Sequence, residues 1–595
     1  MRINWLSEAY DEMSEFDSEG LRLLARKFAL LNATKHNGKA QVKAVVGKIL
    51  AERPELRSLA KDVTHLVVGI INEVNSLAYE VQVTEIEEKW PDLLKIEKTK
   101  EEKALPPLPD VDKFGTVVTR FSPNPDCALH LGSVRAIILS HDYARMYVGR
   151  FLLRFEDTDP RLKRSSLRFY DMIREDLAWL GCKWDEECVQ SDRVPVYLEH
   201  AKKLIEMGKA YVCTCTKDLF AASVSSGKPC SCRDLSVSDQ ITRWERMVSG
   251  GFAEGEAVVR IKTDLSHPNP AVRDWPALRI IDPEKNPHPR VGKKHRVWPL
   301  YNFAAGVDDH LMGITHIIRG KEHYTNTVRQ KYMYEYFGWR YPEAIHYGRL
   351  KVVGAELSKS KIMRSLSDGL VQDFDDPRLA TLVALRRRGI TPECLRKVVV
   401  EIGPRPVDAT LSWDNIYAYN RKIVDPTSNR YFYVENPIPL RVTGVSKEYV
   451  STPLLHPSYP ERGTRSIRVK PENGVAMLTV SSSDQKLLSQ NRVVRLMELF
   501  NVEVLKADGP VCEAMFHSET YEDSKKIDAP LIHWLPKGGC INVKVVMPTA
   551  KVSVGLGEPR LLNEIVGNIV QLTRFGFVRV DEVSSGSMRL YFAHG

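Results

Sequence analysis

Two short segments, more than two hundred residues apart, contain the residues in this sequence that are best suited to chemistry. Residues 119–133 read TRFSPNPDCALHLGS, and residues 356–361 read ELSKSK. Glycine admits a close approach to a nucleotide, and Lys supplies positive charge for its phosphates. His-x-Gly alone is weak evidence, because 16 His and 35 Gly in 595 residues produce it about once by chance. Together, the two segments predict an ATP-handling site that is split across a long insertion.

The first of these segments lies in the predicted loop of a βαβ unit. Residues 115–120 form a short β-branched run, a helical stretch begins at Val134, and residues 151–155 (FLLRF) predict a second strand. In an open parallel sheet, ligands bind beyond the carboxyl ends of the strands. We therefore expect the loop at 121–133 and the acidic residues at 156–159 (EDTD) to border one crevice.

The rest of the sequence predicts a multidomain α/β fold around this Rossmann-like parallel-sheet catalytic domain. Helical periodicity marks an N-terminal extension, a charged run followed by prolines marks a linker, and closely spaced short strands predict C-terminal β-barrels. The predicted order begins with a helical extension at 1–104 and a first catalytic half, which contains the HLGS motif, at 105–210. An inserted subdomain with a Cys cluster at 211–297 separates it from the second catalytic half, which contains the LSKSK loop, at 298–370. A helical connector at 371–430 and β-barrels at 431–595 complete the order.

The composition is that of an ordinary soluble globular protein. Lys and Arg total 85 against 76 Asp and Glu, and this mild excess permits a polyanionic partner without requiring one. No stretch reaches the roughly 18 consecutive apolar residues that a membrane span needs, and residues 1–6 (MRINWL) lack the apolar core of a signal peptide. We therefore expect a cytoplasmic protein without a membrane partner.

Four of the ten cysteines form a candidate metal site inside the insertion. Cys213 and Cys215 are followed, after fourteen residues, by Cys230 and Cys232. Ten cysteines are too sparse in this chain for a disulfide framework, whereas four thiolates at such spacing suit a tetrahedral structural Zn²⁺. The alternative is four reduced cysteines in a subdomain that has lost its metal, because C-x-C pairs are less specific than C-x-x-C pairs.

Six linked motifs carry a resemblance to a known family. They are RFSPNP at 120–125, HLGS at 130–133, RFEDTDP at 154–160, WPLYNF at 298–303, GITHIIRGKEH at 313–323 and LSKSK at 357–361. In their order and spacing, from about residue 105 to the C-terminus, the sequence resembles the class I glutamyl-tRNA synthetases, specifically the archaeal type. The helical leader resembles the N-terminal extension of that subgroup.

The resemblance implies where ATP and its Mg²⁺ act. It assigns His130 and Gly132 to the signature called HIGH, and residues 358–360 to the mobile loop called KMSKS. The implied catalytic residues are His130, Gly132, Ser133, Ser358, Lys359 and Ser360. The implied ATP-binding residues are Pro123, Asn124, Asp126, His130, Gly132, Arg349, Leu350, Leu357 and Lys359. Attack on the α-phosphate builds negative charge that such donors and cations can stabilise.

The resemblance also assigns a glutamate-binding pocket to Arg120, Glu156, Tyr301 and Arg319. Glu156 would pair with the α-ammonium group, and Arg319 would face the side-chain carboxylate. A guanidinium in a desolvated pocket matches a carboxylate but is left unpaired by a carboxamide, so glutamine should be rejected. The related glutaminyl-tRNA synthetases, which are the nearest alternative, carry an uncharged residue at the position of Arg319.

Three residues depart from the pattern of the family. Ser133 stands where the first signature ends in His, Cys127 stands where Gly is common, and Glu356 replaces the first Lys of the mobile loop. The backbone conformation at Cys127 is a specific question, because Gly would tolerate a positive φ there and Cys would not easily do so.

The resemblance implies ligation of glutamate to the 3′-terminal ribose of tRNA(Glu), with the insertion at the acceptor end and the barrels at the anticodon. Charging of tRNA(Gln) is left open, and we expect a monomer. A truncated glutamyl transferase acting on a modified tRNA base is disfavoured, because such proteins lack the anticodon domains. A non-catalytic tRNA-binding scaffold is disfavoured because it would not need His130, Glu156, Arg319 and Lys359 together.

Overall fold

The computed structural model describes residues 18–35, 38–90, 104–354, 357–489, 492–507 and 509–595. The predicted charged linker at 95–103 and the unusual Glu356 lie outside these ranges. The chain divides into two units, Met1–Lys103 and Ala104–Gly595. Among the helices in the described ranges, none combines the length and the apolar composition that crossing a membrane requires.

The described part of the N-terminal unit is helical, as predicted. Its α-helices are α1 (Ser18–Lys35), α2 (Val42–Glu52), α3 (Ala60–Ser76) and α4 (Tyr79–Lys89). Several residues of the apolar faces that helical periodicity predicts are buried, since Ala25, Val45 and Ile49 are almost inaccessible. Gln82 of α4 is buried as well, and its Nε2 donates to the carbonyl of Val74 at the end of α3. The helical extension predicted from the sequence is thus confirmed.

A parallel sheet forms the core of the catalytic region. Its first elements are β1 (Val118–Phe121), α5 (Leu131–Met146), β2 (Arg150–Phe155), α6 (Leu167–Trp179), β3 (Glu186–Val189) and α7 (Val194–Glu206). Strand β2 lies between β1 and β3, with Val118 opposite Arg150 and Leu152 opposite Glu186. The predicted βαβ unit is confirmed, and the loop between β1 and α5 lies at the carboxyl end of the sheet.

An inserted subdomain with an antiparallel sheet follows. Its elements are β4 (Ala210–Cys213), α8 (Lys217–Ser226), α9 (Val237–Val248), β5 (Val258–Ile261), β6 (Pro276–Ile280) and β7 (Val297–Pro299). The strands pair in the order β4, β5, β6, β7. Arg279 of β6 forms an ion pair with Asp159 at 2.6 Å. The insertion is therefore attached to the acidic loop after β2, beside the crevice.

The chain then returns to the parallel sheet and continues into a helical connector. The elements are α10 (Tyr301–Leu311), β8 (His316–Gly320), α11 (Tyr324–Phe337), β9 (Glu343–Tyr347), β10 (Leu350–Val352), α12 (Lys359–Ser367), α13 (Leu382–Arg388), α14 (Pro392–Ile402), β11 (Ala409–Leu411) and α15 (Trp413–Val424). The backbone N–H of Thr315 donates to the carbonyl of Val118 at 2.9 Å, and β8 pairs in parallel with β9. The two catalytic halves therefore meet along β1 and β8.

The C-terminal region consists mainly of short strands, as predicted. They are β12 (Arg430–Tyr431), β13 (Tyr433–Glu435), β14 (Pro437–Thr443), β15 (Tyr449–Ser451), β16 (Ile467–Val469), β17 (Val475–Ser481), β18 (Val493–Leu496), β19 (Asn501–Lys506), β20 (Cys512–Ser518), β21 (Leu531–Ile532), β22 (Trp534–Pro536), β23 (Ile541–Val546), β24 (Val552–Gly557), β25 (Ile569–Leu572), β26 (Gly576–Ser584) and β27 (Ser587–His594), with helix α16 (Tyr521–Lys526). In the described residues they form two seven-stranded sheets and a two-stranded ribbon. Arg387 of α13 joins the connector to β26 through Asp581, at 3.0 Å.

Arg135 of α5 cross-links the catalytic sheet to the connector. Its guanidinium is fully buried and donates to the carbonyls of Gly348, Gly403 and Arg405. The same group lies over the ring of Tyr347, 4.8 Å from its centroid. These carbonyls flank strands β10 and β11, which pair in parallel with each other. Arg135 thereby fixes β10 beside the helix that carries the first signature.

Replacing Arg135 with Met tests this cross-link. Arg135→Met would leave the buried carbonyls of Gly348 and Gly403 without the side-chain donor, and each unsatisfied group costs about 1–3 kcal/mol. We expect the midpoint of thermal unfolding, followed by calorimetry, to fall by several degrees. The matched change Arg150→Met, at a half-exposed position on β2, should alter it little. Equal midpoints for the two variants would contradict the structural role of Arg135.

Candidate active site

The loop after β1 places the first signature at the start of α5. His130 is the N-cap residue of this helix, and its Nδ1 accepts a hydrogen bond from the N–H of Gly132 at 3.1 Å. A Cβ atom on Gly132 would lie 2.8 Å from the His130 ring, so only glycine fits without a shift. The N–H of Leu131 donates to the carbonyl of Ala380, which attaches the turn to the connector. The helix N-terminus is thus presented where it can favour a phosphate.

The predicted ATP and glutamate residues line two adjoining cavities, of about 460 Å³ and about 700 Å³. The smaller is lined by His130, Gly132, Arg349, Leu350, Leu357 and Ser358. The larger is lined by Arg120, Pro123, Asn124, Ser133, Glu156, Tyr301, Arg319 and Lys359. Both cavities reach Glu322 and Tyr347. Of the predicted residues, Asp126 and Ser360 line neither of these two cavities.

Lys359, the first residue of α12, is held by the loop of the first signature. Its Nζ lies 2.7 Å from Oδ1 of Asp126 and 3.4 Å from the carbonyl of Asn124. The Lys359 side chain is 37% exposed, so solvent limits this ion pair to about 1 kcal/mol or less. A triphosphate carries several negative charges and can therefore compete with Asp126 for Lys359. The two halves of the split site are therefore in direct contact.

Arg319 lies at the inner end of the larger cavity, at the end of β8. Its Nη1 lies 3.4 Å from the Tyr301 hydroxyl, and its Nη2 lies near the oxygen atoms of Thr327, Gln330 and Tyr341, at 2.7, 3.1 and 3.2 Å. Its Nε has no hydrogen-bond partner among the described residues, although it is buried. Burial alone would lower the pKa of Arg319, but neighbouring tyrosine hydroxyls raise it, so the side chain stays charged.

Glu156 and Arg120 belong to a second buried network, centred on Asp309 of α10. Arg120 donates from Nε and Nη2 to the two oxygens of Asp309, at 3.0 and 3.3 Å. Arg154 donates to Asp309 at 2.9 Å and to Glu156 at 3.0 Å. Burial would raise the pKa of Asp309, but the two guanidinium groups outweigh it and hold that pKa below its usual range. Arg120 therefore positions the pocket through Asp309.

The charges of the five ionised side chains in these two networks do not cancel. The guanidinium groups of Arg120, Arg154 and Arg319 face the carboxylates of Glu156 and Asp309, which leaves one positive charge in excess. No anionic partner is available to Arg319 among these five groups, because Asp309 and Glu156 are already shared by the other two arginines. A buried charge without a partner is costly, so the pocket is suited to an anionic ligand.

Comparison with known proteins identifies the family of the chain. The model of the catalytic domain of class I tRNA synthetases (E and Q) matches residues 116–426. The models of the anticodon binding domain of the same class match residues 428–519 and 531–581. The chain belongs to the class I tRNA synthetases of the E and Q group. This confirms the resemblance that the six motifs indicated.

The synthetase is also similar, over nearly its whole length, to proteins named glutamate–tRNA ligase. It is 51% identical to the protein from Pyrococcus furiosus over 578 residues, which is 96% of this chain and 99% of the relative. It is 50% identical to the Thermococcus kodakarensis protein over 97% of this chain and 100% of the relative. The Caldivirga maquilingensis protein is 48% identical over 96% of this chain and 99% of the relative.

Cys127, where the resemblance leads us to expect glycine, shows no backbone strain in the synthetase. It is not among the described non-glycine residues with positive φ. Its side chain is 1% exposed and packs in an apolar cluster with Phe169 and Ile362. Burial raises the pKa of the Cys127 thiol to about 11, so this thiol is not a nucleophile near pH 7. The substitution adds packing between the first loop and α12.

The sequence alone did not reveal which residues hold Arg319 and Glu156 in place in the synthetase. Arg154 lies inside the quoted motif RFEDTDP and could have been singled out as a buried partner for Glu156. Asp309, Gln330 and Tyr341 carry no such signal, because only the fold brings α10 and α11 beside the strand that carries Arg319.

The four cysteines of the insertion come together in the synthetase as a compact cluster. Their Sγ atoms all lie within 4.8 Å of one another, with Cys213 and Cys230 at 3.9 Å and Cys215 and Cys232 at 3.7 Å. Tetrahedral Zn²⁺ with Zn–S bonds of about 2.3 Å places its sulfur ligands about 3.8 Å apart. Arg243 donates to the Cys232 sulfur at 3.2 Å, a contact that stabilises a thiolate. The donor set and spacing therefore fit zinc.

Proposed function

We propose that the chain ligates glutamate to tRNA(Glu) in two steps. In the first step, an oxygen of the α-carboxylate of glutamate attacks the α-phosphate of ATP, so glutamyl adenylate forms and pyrophosphate leaves. In the second, the 3′-terminal ribose hydroxyl of tRNA attacks the activated carbonyl, and AMP leaves. The enzyme class predicted from the sequence is confirmed by the glutamate–tRNA ligases to which the chain is similar. The observation that carries the choice of amino acid is the buried positive charge of Arg319.

ATP binds across the two cavities, with its phosphates beside His130, Gly132 and Lys359. The attack builds negative charge on the phosphoryl group, and Lys359 together with the N-terminus of α5 supplies cationic and hydrogen-bonding groups for it. Mg²⁺ accompanies ATP and offsets part of its charge. Lys359 must exchange Asp126 for phosphate during this step. The remaining predicted catalytic and ATP-binding residues are Pro123, Asn124, Asp126, Ser133, Arg349, Leu350, Leu357, Ser358 and Ser360.

Glutamate binds at the inner end of the larger cavity. Glu156 accepts hydrogen bonds from the α-ammonium group, while Arg319 donates to the side-chain carboxylate from its unused Nε and from Nη1. The Tyr301 hydroxyl flanks the same carboxylate. The carboxamide of glutamine would leave the charge of Arg319 uncompensated, so glutamine is disfavoured.

The exchange Arg319→Gln removes the charge and retains a polar side chain. Removing one partner of a buried charged pair typically costs about 2–5 kcal/mol, so kcat/KM for glutamate should fall between about 30-fold and several thousand-fold. The kcat/KM for glutamine should change much less. Aminoacylation of tRNA(Glu) transcript with each amino acid measures both, and Arg150→Gln serves as the matched control. An unchanged preference for glutamate would contradict the assignment of Arg319.

The same assay separates the alternatives. A glutaminyl-tRNA synthetase would charge glutamine in preference to glutamate, and a non-catalytic scaffold would charge neither. Running the activation step with and without tRNA tests whether bound tRNA is required. Charging of tRNA(Gln), the monomeric state and the cytoplasmic location stay predictions from the sequence.

The tRNA contacts the inserted subdomain with its acceptor end and the two C-terminal sheets with its anticodon. The matches of the anticodon-binding models to residues 428–519 and 531–581 support the second contact. The first is supported by the position of the insertion, whose Arg279 is paired with Asp159 at the rim of the larger cavity. A net charge of +9 is compatible with a polyanionic partner.

The four clustered cysteines hold one structural Zn²⁺. Protein purified without chelator should contain about one zinc per chain by elemental analysis. Cys213→Ser removes a ligand from the cluster and should abolish most of this zinc, whereas Cys540→Ser, a change outside the cluster, should retain it. Zinc-free protein from a chelator-free preparation would contradict the proposal and favour four reduced cysteines.

A further inference from the structure

Gln330 of α11 is the central member of the set of side chains that holds Arg319. It is fully buried, and its Oε1 accepts hydrogen bonds from Arg319 Nη2 at 3.1 Å and from the Tyr341 hydroxyl at 2.8 Å. Its Nε2 donates to the carbonyl of Asn302 at 3.3 Å. This last contact decides which end of the amide faces Arg319. Gln330 is therefore oriented as an acceptor toward the guanidinium.

The other groups that hydrogen-bond to Arg319 are uncharged as well. Thr327 Oγ1 accepts from Arg319 Nη2, and its hydroxyl lies 2.9 Å from Nε2 of His346. Burial, and then the charge of Arg319, lower the pKa of His346 and of His323 to about 4. Both rings are therefore neutral near pH 7. In the part of the chain that the structure describes, the side chains that hold Arg319 by hydrogen bonds are neutral, and Asp309 offsets its charge only at longer range.

We propose that Gln330 determines the specificity for glutamate, as a positioning residue that acts through Arg319. Its amide oxygen orients the guanidinium, and its lack of charge reserves the positive charge of Arg319 for the carboxylate of the substrate. The inference rests on the proposed function, since it assumes that Arg319 faces the side chain of glutamate. The inference adds a requirement to the proposed function: the side chain at position 330, which accepts a hydrogen bond from Arg319, has to be neutral.

The physical reason is competition for a single positive charge. A carboxylate in the place of the Gln330 amide would lie at hydrogen-bond distance from Arg319, at a buried position. A charge-assisted bond of this kind is roughly twice as strong as a neutral one. It would also place a negative charge near the carboxylate of the substrate, and like charges in a buried site repel. Glutamine, whose side chain is uncharged, would not experience that repulsion.

The substitution Gln330→Glu tests the proposal because it keeps size and acceptor while changing charge. We expect the KM for glutamate to rise about 10²-fold or more. The ratio of kcat/KM for glutamate to that for glutamine should fall by a similar factor. The KM for ATP should stay within about twofold of the unsubstituted value, since the contacts to ATP lie elsewhere. An unchanged KM for glutamate in a folded variant would overturn the proposal.

Gln330→Met is the matched variant, because it keeps the length of the side chain and its neutrality but removes the acceptor. We expect a rise in the KM for glutamate of about tenfold, with the preference for glutamate over glutamine retained. Equal loss of preference in both variants would show that Gln330 matters only for packing and would overturn the proposal. If Gln330→Glu does not fold, Gln330→Met still tests the proposal. Loss of the preference for glutamate in Gln330→Met would overturn the proposal.

The unsubstituted protein separates this proposal from the function on which it rests. If it charges no tRNA with glutamate, both are overturned. If it charges tRNA(Glu) with glutamate while Gln330→Glu keeps the same KM and preference, the function stands and the role of Gln330 is overturned. Thermal unfolding of each variant, measured beside the assay, identifies a loss of activity that comes from unfolding.

Discussion

The buried and only partly compensated positive charge of Arg319 is the constraint on which the catalytic region depends. Removing a guanidinium from water costs several kcal/mol unless hydrogen bonds and nearby charges offset it. Arg319 is offset in part, by the oxygen atoms of Thr327, Gln330 and Tyr341 and at longer range by Asp309. Such a group is stable only where its acceptors are held rigidly. Strand β8 and helices α10 and α11 therefore have to pack in one arrangement, and the remaining charge is available to a ligand.

The second network explains how a carboxylate is held in the wall of the same pocket. Asp309 is shared by Arg120 and Arg154, and Arg154 also holds Glu156, so a carboxylate is fixed at the cavity wall. A cationic group and a carboxylate in the wall of one pocket match an amino acid with an acidic side chain. The cross-link from Arg135 and the contact between Lys359 and Asp126 place the nucleotide signatures beside this pocket. The residues proposed for specificity and for activation thus lie side by side in the catalytic region.

Candidate catalytic residues could be predicted from the sequence where they lie in short contiguous motifs, as His130, Lys359 and Arg319 do. The parallel sheet could be predicted because its strands alternate with helices. The role of Gln330 could not, because it depends on which face of α11 meets β8. Strand partners in the C-terminal sheets could not be predicted either. Arg430 lies opposite Gln571, for example, and no local pattern encodes a pairing between strands so far apart in sequence.

The role proposed for Arg319 is to supply its positive charge to the side-chain carboxylate of glutamate. The most direct test is a crystal structure of the protein with a non-hydrolysable analogue of glutamyl adenylate. We predict that the carboxylate oxygens lie about 3 Å from Nε and Nη1 of Arg319, with the α-ammonium group beside Glu156. A carboxylate bound elsewhere, with Arg319 keeping only its contacts to Thr327, Gln330 and Tyr341, would contradict it.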